Sequence, residues 1–182
     1  MGASTSTRAR APRRRTLNMV VLKPPYAHYR RNLPHWQHGG AAIYLTFCTL
    51  DRFELPPPAR QLVLGHCLHD HNQKLYLHCA VVMPDHVHLL LNPWPNATGE
   101  FHCLAETTKS IKGASAHSVN RLLGRKGPLW QHESFDHLLR ANERGGDVVE
   151  YIRQNPVRKG IATRPEDYPW FWLNPEIAPP RR

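Results

Sequence analysis

The stretch Val82-Met83-Pro84-Asp85-His86-Val87-His88-Leu89-Leu90-Leu91 decides how this chain is read. Pro84-Asp85 interrupts an apolar, β-branched run that begins at Leu75. Two strands are therefore expected, residues 75–83 and 86–91, joined by a short break. Side chains two apart share one face of a strand. His86 and His88 thus point one way, while Val87, Leu89 and Leu91 point the other and can pack against helices.

Working outward, residues 42–49 (Ala-Ile-Tyr-Leu-Thr-Phe-Cys-Thr) are β-branched and aromatic enough for a first strand. Pro56-Pro57-Pro58 stops it and can open a helix, since proline is tolerated in a first turn. Leu62, Val63, Cys67 and Leu68 give that helix an apolar stripe to about Asn72. Beyond the histidines, Asn92-Pro93-Trp94-Pro95-Asn96 reads as a loop, followed by a polar helix over roughly residues 100–123. Gly124 to Gly127 ends it. Residues 129–131 with 135–139 suggest a last strand, and Asn142 is placed as the N-cap of a final helix ending near Asn155-Pro156. The order is strand, helix, strand, strand, helix, strand, then an extra helix. That is an α+β, ferredoxin-like plan: an antiparallel sheet with helices on one face, plus a C-terminal helix.

The length suits one domain with a tail. We divide it into a basic, partly disordered arm and extended lead-in at 1–40, a folded domain at 41–172 and a tail at 173–182. Basic residues outnumber acidic ones by 24 to 14, which favours a polyanionic partner. Residues 1–23 hold Arg8, Arg10, Arg13, Arg14, Arg15 and Lys23 with no acid. The body is thus only mildly basic, and the arm adds salt-sensitive DNA affinity at most. Residues 17–22 are too short and interrupted for a secretion signal, and no apolar run reaches the roughly 18 residues of a membrane span. Cys48, Cys67, Cys79 and Cys103 form no Cys-x-x-Cys pair, which points to reduced thiols in a cytoplasmic protein and away from a cysteine zinc site.

Two imidazoles side by side can supply two ligands to one divalent cation, with room for a third ligand and for substrate oxygens. A bare His-x-His is common in a chain with 13 histidines, so it needs a partner segment. A histidine-triad hydrolase is a poor fit, because the third alternating position is Leu90. A two-histidine phosphoesterase is a poor fit too, because no hydroxyl residue stands two after either histidine. The partner is Glu150-Tyr151-Ile152-Arg153-Gln154-Asn155-Pro156-Val157-Arg158. Tyr151 and Asn155, four apart, share a helix face. The Asn155 carboxamide oxygen is a competent ligand for Mg2+ or Mn2+. A tyrosine oxygen can attack a phosphodiester and hold the strand covalently.

Together these segments resemble the single-tyrosine HUH transposases, particularly the REP-associated tyrosine transposases of bacterial genomes. Four blocks carry the resemblance: Arg31-Asn32-Leu33-Pro34-His35-Trp36; Val82 to Leu91; Leu129-Trp130-Gln131 with Phe135-Asp136-His137; and Tyr151 to Gly160 with Pro165 to Trp170. The resemblance implies a ferredoxin-like nuclease core and a single-stranded DNA substrate, often with a hairpin near the cut. It also implies a 5′-phosphotyrosyl intermediate. By motif position Tyr151 is the nucleophile, and His86, His88 and Asn155 hold a divalent metal, Mg2+ or Mn2+. A monomer or homodimer is expected.

Two features depart from that pattern. Gly145-Gly146 fall where the catalytic helix is expected, so it either starts later, capped by Asp147, or hinges. Trp170-Phe171-Trp172 replaces a Trp-Ser-Ser-type ending. Lys109, Lys112, Arg140, Arg153, Arg158 and Lys159 are candidate phosphate contacts. Trp36 and Trp94 are candidates for base stacking, with Trp130 placed in the core. Two alternatives stay open: a module that binds nucleic-acid hairpins without cutting, and an RNA phosphodiesterase on the same scaffold.

Overall fold

A computed structural model describes residues 41–177 in full, and the backbone alone of 27–30 and 34–37. The arginine-rich arm and the end of the tail lie outside the described residues, as does the side chain of Trp36. The lead-in contains an antiparallel pair, β1 (Ala27–Arg30) with β2 (Pro34–Gln37).

The domain is one sheet of five strands in the order β6-β3-β5-β4-β7: Phe135–Leu138, Ile43–Cys48, His86–Pro93, Leu75–Val82 and Phe171–Leu173. Every neighbouring pair is antiparallel. Helix α1 (Pro57–His69) links β3 to β4, and α2 (Leu104–Leu123) links β5 to β6. The first four strands thus hold the ferredoxin-like order, with β7 added at the β4 edge.

The alternation expected around Val82 to Leu91 organises both layers. Ile43, Leu45 and Phe47 of β3 with Val87, Leu89 and Leu91 of β5 form one continuous core with α1 and α2. A bulge between Leu77 and Cys79 resets the phase of β4, so that Leu75, Leu77, Ala80 and Val82 all reach that core. The opposite face carries Cys79, Val81, Met83 and Leu90, and helix α3 (Gly145–Arg153) packs there through Val149 and Ile152. The two crossover helices and the C-terminal helix therefore sit on opposite faces.

Several boundaries move for local reasons. α1 ends at His69 rather than near Asn72, because the Asp70 carbonyl collects the N–H groups of Gln73, Lys74 and Leu75. α2 starts at Leu104, because the Asn96 carboxamide holds Thr98 and Glu100 in a turn. It stops as expected at Gly124, which takes φ 62° as a left-handed cap. Residues 129–131 do not continue β6. Leu129 and Trp130 are buried, and the Trp130 indole donates to Ser115 Oγ at 3.0 Å, in line with its assignment to the core.

Asn142 does not cap the final helix. The Glu143 carboxylate accepts the Arg140 N–H at 2.6 Å and a bond from His137, building a turn that delays the helix to Gly145. Neither does Asp147: the preceding residue is Arg144, and no side chain caps the end. Gly145 and Gly146 thus occupy the first turn, so their conformational cost falls on a helix end rather than an interior. Pro156 lacks the N–H that would bond Ile152, so the chain breaks at Gln154 and resumes as α4 (Asn155–Arg158). Trp170-Phe171-Trp172 enters the sheet edge as β7, and Asn174, buried beyond it, donates to the Leu77 carbonyl. Among the described residues no helix is long and apolar enough to cross a membrane. All four cysteines are free thiols.

Candidate functional site

His86 and His88 leave β5 on the α3 side, their ring centroids 4.7 Å apart, and both are over nine-tenths buried. Each is oriented through Nδ1. His86 Nδ1 bonds Asp85 Oδ1 at 2.6 Å, and Arg52 holds Asp85 in turn at 3.2 Å. His88 Nδ1 lies 2.7 Å from Thr46 Oγ1 and 2.8 Å from Tyr44 Oη. Thr46 is the register partner of His88 across the ladder, so β3 sets that contact. With both Nδ1 atoms engaged, Nε2 is left as the coordinating atom of each ring.

Helix α3 and the break after it bring the second segment to the same place. Asn155 is 6% exposed, and its Nδ2 donates to the Tyr151 carbonyl at 3.1 Å. The same carboxamide lies against His88, whose protonated form it favours. Burial nevertheless dominates and pushes the His88 pKa down to about 3, with His86 and Arg158 adding to the shift. His88 is thus a neutral imidazole, the form that binds a metal.

The donor set fits a divalent cation of the Mg2+, Mn2+ or Zn2+ kind: two imidazole nitrogens and a carboxamide oxygen around one buried spot. Among the described residues no three His, Cys, Asp or Glu side chains gather as a metal cage; the third donor of such a set would be Asn155.

Tyr151 stands at the mouth, 47% exposed. Its ring centroid is 6.5 Å from that of His88 and 6.1 Å from that of Tyr44. Burial, with Tyr151 close by, pushes the Tyr44 phenol up to about 12. The Arg158 guanidinium lies 3.9 Å over the Tyr151 ring and donates to the Tyr151 carbonyl at 3.0 Å. The arrangement is a buried ligand set, an exposed phenol beside it and a cation holding that phenol.

The basic candidates divide. Arg158 is at the site. Lys159 and Arg140 are exposed nearby in sequence, on the α4 C-cap and after β6. Arg153 is enclosed by Glu150 and Glu166 at 2.8 and 2.6 Å, so it ties α3 to the following segment rather than meeting phosphate. Lys112 donates to the Gln131 and His132 carbonyls and to Ser134 Oγ. Its ammonium straps the 131–134 loop. Lys109 is exposed on α2, the helix that covers the opposite sheet face. Trp94 is exposed and stacked on Tyr76 at 5.8 Å.

Sequence reasoning passed over Tyr44, Thr46 and Asp85. The alternation of Ile43, Leu45 and Phe47 places Tyr44 and Thr46 on the histidine face, and Asp85 stands inside the deciding stretch itself.

No family model matches the chain. A curated Haemophilus influenzae protein, provisionally named a REP-associated tyrosine transposase, is 28% identical over 101 residues. A solved REP-associated tyrosine transposase bound to a REP hairpin is alike with a TM-score of 0.61 at 22% identity. The resemblance to the REP-associated tyrosine transposases holds. The structural likeness covers 80% of this chain and 81% of that one, and it establishes the fold. The sequence match takes in 53% of this chain and spans only 57% of the Haemophilus influenzae relative. A Deinococcus radiodurans protein, provisionally described as a transposase, is 25% identical over 62% of this chain and 88% of its own, with a TM-score of 0.43.

Proposed function

We propose that this chain is a transposase-type enzyme that cleaves and rejoins single-stranded DNA, often beside a hairpin, with Tyr151 as nucleophile. The observation that carries this is the meeting of two distant segments. His86 and His88 come from a strand, Tyr151 from α3 and Asn155 from the start of α4, and α3 docks on the histidine face. A solved protein of this fold is bound to a REP hairpin, which supports hairpin DNA as the ligand class here.

The residues act as follows. His86, His88 and Asn155 would hold Mg2+ or Mn2+, which when bound polarises the phosphate and offsets its charge. Asp85, Thr46 and Tyr44 fix both imidazoles through Nδ1, leaving Nε2 for the cation. Arg158 holds Tyr151 in place and supplies positive charge over the phenol ring. The Tyr151 oxygen gives up its proton and bonds to phosphorus, the P–O3′ bond breaks, and the departing oxygen takes up a proton as a 3′-hydroxyl. The phosphotyrosyl link conserves the bond energy, so a second 3′-hydroxyl can reverse the step and rejoin the strand.

The test is a covalent-adduct assay with labelled, hairpin-bearing single strands in Mn2+ or Mg2+, with matched RNA in parallel. The wild type should form a protein–DNA adduct, and Tyr151→Phe should lower that rate by on the order of 10⁴ or more. An undiminished adduct in Tyr151→Phe refutes the nucleophile. Tight hairpin binding without any nick favours a non-cleaving module, and preferential RNA cleavage favours the phosphodiesterase.

A further inference from the structure

The functional reading leaves one exposed side chain at the rim without a role. Phe135 is 56% exposed, the most open large apolar side chain among the described residues. It opens edge strand β6 and pairs with Thr46, whose other neighbour in the ladder is His88. Phe135 and His88 are thus two strand spacings apart, roughly 10 Å along one row. Side chains directly opposite in a ladder share a face, so the phenyl ring stands on the histidine side of the sheet. It meets Tyr44 edge-on at 6.5 Å, and Tyr44 meets Tyr151 edge-on at 6.1 Å.

Two further observations separate this ring from an ordinary surface phenylalanine. The loop before it is tied down: Lys112 bonds Gln131, His132 and Ser134, and Ser134 is buried. A phenyl left in water is therefore presented from a pinned backbone, which is how a rigid recognition group is built. The face is also unevenly covered. α3 packs over β4 and β5, on the far side of His88 from Phe135. A strand reaching Tyr151 thus has the β3–β6 side to approach along, clear of α3, with β2 meeting β6 at its border.

We propose that Phe135 is the stacking platform for a base adjoining the scissile phosphate, an inference that rests on the single-stranded DNA reading above. An unpaired base exposes its π-face, and an aromatic side chain takes any base by stacking. Phe135 offers no hydrogen-bonding group, so it holds the strand in place without reading base identity. Stacking would fix the nucleotide beside Tyr151 and so aim the phosphate at the phenol oxygen.

The test uses hairpin-bearing DNA with random single-stranded flanks containing 5-iododeoxyuridine. The pool is selected for retention by the wild-type protein, irradiated, and the crosslinked peptides mapped. The crosslink should fall on residue 135. Phe135→Ala should lose that crosslink and weaken binding by about 5- to 100-fold, the loss expected for one base–aromatic stack. Phe135→Trp should restore both. Retention and crosslinks unchanged in Phe135→Ala overturn the proposal alone. So does a wild-type dimer that Phe135→Ala splits in light scattering, since the edge strand then joins two copies. If the wild type retains no DNA from the pool, the functional reading fails and this proposal falls with it.

Discussion

Along β3, Ile43, Leu45 and Phe47 disappear under α1 and α2, while Tyr44 and Thr46, one residue out of step, face His88 and Tyr151. β5 repeats the division, with Val87, Leu89 and Leu91 in the core and His86 and His88 in the site. One face is apolar and sealed by two helices. The other carries the site residues of β3 and β5 beside a second apolar cluster under α3. The difference teaches that the same strands hold the fold and the site, separated only by the two-residue period of the pleat. A substitution should therefore affect either stability or chemistry according to its parity.

The strongest way to break this comparison is on the sealed face. Leu89 is fully buried, and Leu89→Ala should cost about 2–5 kcal/mol. Urea unfolding should register that loss, while adduct formation per folded molecule stays near wild type. Comparable damage to both would mean that the faces are not separable.

On the α3 face, Asp85→Asn removes the carboxylate partner of His86. Folding should hold, and Mn2+ affinity measured by calorimetry should fall roughly 10- to 100-fold. An unchanged affinity would remove Asp85 from the site.

Acid probes the α3 face more gently. Burial holds the His78 pKa below its usual 6.5, opposed by the Asn92 hydrogen bond and reinforced by His71. Burial moves His88 the same way, to about 3. In both cases the unfolded chain takes up a proton near pH 6.5 that the folded chain refuses until lower pH. Their contribution to stability is thus complete above 6.5 and is lost as pH falls through that window. His78→Gln should flatten the decline in urea midpoint between pH 7 and 5; equal slopes would contradict the assignment.

The smallest effect belongs to Lys109 on the helix behind the sheet. Lys109→Ala should change hairpin-DNA affinity by less than about twofold and stability by under about 0.5 kcal/mol. A larger affinity loss would show that DNA wraps around to the sealed face.

Much of the candidate site was legible in the sequence. His86 and His88 share a face because of strand geometry, and Tyr151 and Asn155 because of helix geometry; both are local rules. Tyr44 and Thr46 obey the same alternation but carry no motif, so they became visible only once β3 was paired with β5. Lys112 and Arg153 read like free basic groups, because nothing local reveals the three oxygens that meet Lys112, or Glu166, which joins the in-helix Glu150 on Arg153. β7 was missed for a related reason. A strand of three residues has little pattern of its own and is set by the β4 edge it meets.

The sequence by itself therefore determined the sheet plan, the two faces of β5 and the tyrosine–asparagine pair, since each depends on periodicities of 2 or 3.6 residues. Tertiary structure alone decided that α3 covers the histidine face, that its glycines fall in a first turn, and that Asn155 reaches His88. Those outcomes depend on which apolar surfaces find each other across more than sixty residues of chain. Asn155 lies beside His88 where Val149 and Ile152 of α3 share one apolar cluster with Val81 and Leu90 of the sheet.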